Sequence, residues 1–135
     1  MTVQELSRYF QLKTTIDKTR EDLAALRERA APSSPKLTGM PHASGVNDNV
    51  GLLAVEIVEL EERIQELEQE AEPERQKAAA FCASIQSARL YLIFRLRFVR
   101  CYSWAEIAYT MGKSYTETSV ARMAYNYLKK TETAA

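Results

Sequence analysis

Ten residues between Lys113 and Lys130 supply hydrogen-bonding groups and charge in close succession: Lys113, Thr116, Glu117, Thr118, Ser119, Arg122, Tyr125, Asn126, Lys129 and Lys130. These are the types that contact nucleic acid. A guanidinium such as Arg122's can donate two bonds to guanine O6 and N7, worth about 1–3 kcal/mol of discrimination, or it can contact a phosphate. Lys113, Lys129 and Lys130 suit phosphate anchoring, or else are solvated helix ends. Thr118 and Ser119 can reach bases or phosphate. Glu117 can accept from cytosine N4 or close a capping box. Tyr125 fits either a surface aromatic near the sugar backbone or a packing residue.

Other chemistries lack their parts. His42 is the sole histidine and lies in a Pro/Gly-rich stretch, so neither a catalytic triad nor a zinc site can be assembled around it. No phosphate-cradling glycine loop occurs. The glutamates of ELEERIQELEQEAEPE fall on outer helix positions, as expected of a solvated face rather than a catalytic cluster. Cys82 and Cys101 lack CxxC spacing and read as reduced structural thiols. A non-enzyme without metal or cofactor is expected.

The elements that must position the ten residues are two short helices. Ser103 followed by Glu106, ahead of Ile107 and Ala108, is a capping box that starts the first. Met111 is its last apolar residue, and Gly112 can take the left-handed conformation that ends it. Ser114 or Thr116 then caps the second, where Val120, Met123, Ala124, Tyr127 and Leu128 recur at three- and four-residue steps. That spacing buries one face and leaves Thr118, Ser119, Arg122, Tyr125, Asn126 and Lys129 on the other. Trp104 reads as a core anchor more readily than as a DNA contact. A helix-turn-helix whose second helix enters a major groove fits this pattern, the alternative being a plain helical hairpin.

A chain of 135 residues with four glycines and four prolines, three of them between Pro32 and Pro41, is otherwise rich in helix formers, so an all-α fold is expected. The net charge is zero but unevenly placed. Residues 1–83 hold ten Lys and Arg against fifteen Asp and Glu, net −5, and residues 84–135 hold eight against three, net +5. Phosphate would be repelled by the first part and attracted to the second. MTVQELSRYF has no signal-peptide pattern, and Arg95 and Arg97 interrupt the apolar patch Leu90–Val99, so no membrane association and a cytoplasmic location are expected.

Tyr9, Leu12, Ile16, Thr19, Leu23, Leu26 and Ala30 form one heptad seam, and Val50, Leu53, Ile57, Leu60, Ile64, Leu67 and Ala71 a second. A Pro/Ser/Gly/Asn-rich loop at about 31–48 separates them, with Asn47 or Asp48 capping the second helix. An antiparallel coiled-coil hairpin over 1–73 is expected, with Ile16 on Leu60, Leu23 on Leu53, Arg20 facing Glu61, Lys13 facing Glu68 and Arg8 meeting Glu70. Asp22 opposite Glu56 is a mismatch in that register. Pro73 should kink or restart the helix and bound the second domain, 74–135. There Phe81, Ile85, Ala88, Leu92 and Leu96 make one stripe on one long helix or two. Leu90, Ile93 and Phe94 widen the apolar surface, and this strip or the coiled coil could join a homodimer. Arg89, Arg95, Arg97 and Arg100 sit at its edges, to reach phosphate or to extend into water.

From about Ile85 to Lys130 the chain resembles the DNA-binding region 4 of sigma-70-type factors, and it is more similar still to phage and prophage transcription regulators of the ArpU and RinA type. LIFRLRFV, SWAEIAYTMG and TETSVARMAYNYLKK carry the likeness, together with the TGMPHASGVND stretch of the hairpin. The resemblance implies a phage-encoded late-gene activator in the bacterial host cytoplasm, acting on double-stranded promoter DNA and on RNA polymerase. It makes Ile107, Ala108 and Gly112 structural and puts Thr116 to Arg122 at the DNA. One departure stands out: the buried apolar residue expected six after Gly112 is Thr118, and Val120 fits better, as a longer turn capped by Thr116 would require. A polymerase adaptor without DNA affinity and a DNA-packaging component are the other classes compatible with these residues.

Overall fold

In the computed structural model, which describes residues 1–31 and 45–134, the chain is all-helical. Five α-helices, α1 (Val3–Ala30), α2 (Gly45–Ala83), α3 (Ala88–Phe94), α4 (Trp104–Met111) and α5 (Glu117–Ala134), are joined by one π-helical turn, Arg95–Val99. The first part of the expected loop, including His42 and most of TGMPHASGVND, lies outside the described residues. The rest belongs to α2, so Asn47 and Asp48 are not caps but sit inside a helix that starts at Gly45.

Two compact units divide the chain, Thr15–Leu67 and Met1–Thr14 with Glu68–Ala135. In the first, Ile16, Leu23, Ile64 and Leu67 are buried and Leu26, Leu53, Ile57 and Leu60 half-buried, which follows both seams. Arg27 of α1 meets Glu61 of α2 at 3.2 Å, an ion pair one heptad from the expected Arg20–Glu61 pair.

Pro73 does not restart the helix: α2 runs through it. Its ring removes one backbone bond, but residues 69 and 73 are exposed, so the orphaned carbonyl can meet water. Glu72 spans the gap, accepting from Arg75 Nε and Nη2 at 3.1 and 2.8 Å and from Gln76 at 3.3 Å. Ala71 and Ala78 are buried seven residues apart, so the core-facing stripe keeps its phase across the proline. The units therefore part at Leu67/Glu68 rather than Pro73, and Met1–Thr14 joins the C-terminal unit because Leu6, fully buried, packs with Ala78, Cys82 and Ile85.

α2 ends at Ala83, and Ser87 starts α3 by accepting from the Leu90 N–H at 3.3 Å. This interruption resets the helical phase. Ile93, Phe94 and Phe98 are buried, whereas Leu92, expected on the core stripe, is exposed. Ile93 and Phe94 are already covered within their own unit, so of the Leu90/Ile93/Phe94 strip only Leu90 is partly exposed. Cys82 is fully buried, and burial pushes its thiol up to about 11, so it stays neutral. Among the described residues no helix is long and apolar enough to cross a membrane.

Candidate nucleic-acid interface

α4 starts as its sequence requires. Ser103 Oγ accepts from the Glu106 N–H at 3.1 Å, and the Glu106 carboxylate accepts from the Ser103 N–H at 3.0 Å. That backbone bond holds the Glu106 carboxyl below its usual range. Ile107 and Ala108 are buried, and the Gly112 N–H closes the helix on the Ala108 carbonyl. Gly112 has φ +119° and ψ 178°, outside the left-handed helical region yet still in a conformation that only glycine takes readily.

Thr116 is the cap of α5. Its hydroxyl accepts from the Ser119 N–H at 3.1 Å, and Ser119 Oγ accepts from the Thr116 N–H at 2.9 Å, a capping box with serine in the carboxylate's place. Ser114 therefore does not cap, and Glu117 does not close the box. Glu117 occupies the first turn of α5, where its charge favours the helix N-terminus. The connection of residues 112–116 brings Val120, not Thr118, into the core: Val120 is fully buried and Thr118 exposed.

Val120, Ala124 and Leu128 anchor α5, with Met123 and Tyr127 partly buried beside them. The opposite side gathers Glu117, Thr118, Arg122, Tyr125 and Asn126 along one open groove, floored by Trp104 and Ala121. Arg122 is exposed and has no ion pair among the described residues. Asn126 and Lys130 line a second groove with Ser87, Arg89, Leu90, Met123 and Tyr127. Asn126 thus borders both. Lys113 and Lys129 are exposed but line neither groove, and the Thr116 and Ser119 hydroxyls are committed to the cap.

Two neighbours enlarge the site beyond the sequence expectation. Trp104 packs edge-on against Phe98 at 6.4 Å and Tyr125 at 5.8 Å, so it is both a packing residue and a groove wall. Arg89 lies over the Tyr115 ring, 5.8 Å from its centroid, at the second groove. Ala121 carried no signal in the sequence and enters the groove only through its place on α5. Arg97 is not a phosphate candidate: its guanidinium is held between Phe10 and Trp104, 4.0 and 4.6 Å from their centroids, and donates to the Tyr102 carbonyl at 3.1 Å. Comparison with protein-family models, curated proteins and solved structures finds no match to this chain.

Proposed function

We propose that this chain is a sequence-specific DNA-binding transcription regulator. In this reading α4 and α5 form a helix-turn-helix like that of sigma-70 region 4, and α5 enters the major groove. The seamed segments of α1 and α2 form an antiparallel coiled-coil hairpin, and the protein acts at a phage late promoter together with RNA polymerase.

The observation that carries this reading is the division of α5. Val120, Ala124 and Leu128 face the core, while Thr118, Arg122 and Asn126 are exposed along a groove with no hydrogen bond or ion pair among the described residues. Side chains presented without intramolecular partners suit contact with base edges. Arg89 and Lys130 line the neighbouring groove that Asn126 shares, and Lys113 and Lys129 are exposed on the turn before α5 and near its end, adding positive charge.

A second reading, an adaptor that docks on polymerase without DNA affinity, draws on the apolar part of the Arg89/Lys130 groove, where Leu90, Met123 and Tyr127 are accessible. Duplex binding at two salt concentrations separates the two. Direct phosphate contact predicts a log–log salt slope of about −0.9 per phosphate, about −4.5 if Arg89, Lys113, Arg122, Lys129 and Lys130 all engage phosphate. No affinity even at low salt would favour the adaptor.

A further inference from the structure

Arg97 sits where a charge is not expected. It follows Ile93 by four residues and Phe94 by three, and both are fully buried, so it projects on the core-facing side of its helix. The π turn holds it, with the Arg100 N–H bonded to the Arg95 carbonyl, and just past its end the Tyr102 N–H bonds the Leu96 carbonyl six residues back, each at 2.9 Å. Among the described residues no carboxylate pairs with it. Two ring faces, from Phe10 of α1 and Trp104 of α4, and one backbone carbonyl take that place. Burial lowers its pKa from the ordinary arginine value, in keeping with a partly desolvated guanidinium that remains charged.

The contacts continue beyond Trp104. Its indole meets the Tyr125 ring at 5.8 Å with planes 65° apart, and both rings line the groove that holds Arg122. Phe10, Arg97, Trp104 and Tyr125 thus form a stack drawn from α1, the π turn, α4 and α5. We infer that Arg97 is a positioning residue for the α5 groove: clamped by Phe10, it fixes Trp104 and through it Tyr125, so that docking of the start of α1 stabilises the binding form of the reading face. This rests on the reading of α5 as the DNA surface. A planar guanidinium is needed because it stacks on two faces at once, which an ammonium cannot do.

The test uses the full chain and its only tryptophan, Trp104, as the reporter. Arg97→Lys, Phe10→Leu and Phe10→Tyr are compared with the parent for helix content, Trp104 emission, acrylamide quenching and duplex DNA affinity across a salt series. With helix content retained, Arg97→Lys and Phe10→Leu should red-shift and expose Trp104 and weaken DNA binding on the order of tenfold, with the salt slope unchanged. Phe10→Tyr, which keeps the ring, should behave as the parent. Unchanged Trp104 emission in Arg97→Lys overturns the inference. So does altered emission with unaltered affinity, and so does a salt slope reduced by about one, which would make Arg97 a phosphate ligand. If the parent binds no DNA at low salt, the α5 reading fails separately, and the emission comparison still decides whether Arg97 holds Trp104.

Discussion

Arg97 lies between two aromatic rings while Arg122 stands exposed beside a groove, although both belong to the same unit and carry the same charge. Residue type alone does not assign such roles; position on the helix does. The i+4 step from Ile93 points Arg97 inward, a signal present in LIFRLRFV but masked because arginine side chains more often extend into water. Glu106 makes the residue scale testable by pH. Its carboxyl is held below its usual value, chiefly by the Ser103 N–H. A depressed folded-state pKa contributes stability that is present above the ordinary glutamate value of 4.5 and lost as pH falls below it through the folded-state value. Glu106→Gln, which can still accept that bond, should therefore flatten the acid limb. Denaturant midpoints measured from neutral to acid pH should fall less steeply below 4.5 in the variant than in the parent.

Helix starts and stops follow local chemistry, and those of α4 were legible because Ser103, Glu106 and Gly112 each act within a few residues. The start of α5 was ambiguous because Ser114 and Thr116 both satisfy the cap rule, and the Thr116–Ser119 hydrogen bonds together with the burial of Val120 distinguish them. Thr116→Ala should cost about 1 kcal/mol in chemical denaturation, whereas Ser114→Ala should be close to neutral. Equal losses would mean that the cap is not where the hydrogen bonds put it. Longer-range features were less legible. The heptad seams predicted which residues of α1 and α2 are buried, whereas a slip of seven restores the same pattern, so spacing alone does not set their alignment. Pro73 suggested a break, yet the Ala71 and Ala78 spacing and the Glu72 side-chain bonds carry the helix through. The Leu92 stripe failed because Ser87 starts a new helix with a new phase.

At the scale of the whole molecule, the first fourteen residues belong with a unit whose remainder begins at Glu68. Sequence order hides this, because Leu6 reads as part of a helix assigned to the hairpin, and only its complete burial among Ala78, Cys82 and Ile85 reveals the association. Leu6→Ala should consequently destabilise the C-terminal unit by about 2–5 kcal/mol, visible as a loss of thermal stability reported by Trp104. A shift confined to the signal of residues 15–67 would contradict the assignment. The uneven charge also belongs to this scale: a net −5 over residues 1–83 and +5 over residues 84–135 favour phosphate only at the part that carries α5. The most direct test of that role is selection from a random duplex library by purified protein, with Arg122→Ala in parallel and at two salt concentrations. If α5 reads base edges, the library yields a defined sequence that Arg122→Ala loses or reads with relaxed preference at one position, while its non-specific affinity changes little. Recovery of no preferred sequence by the parent at low salt would contradict that role.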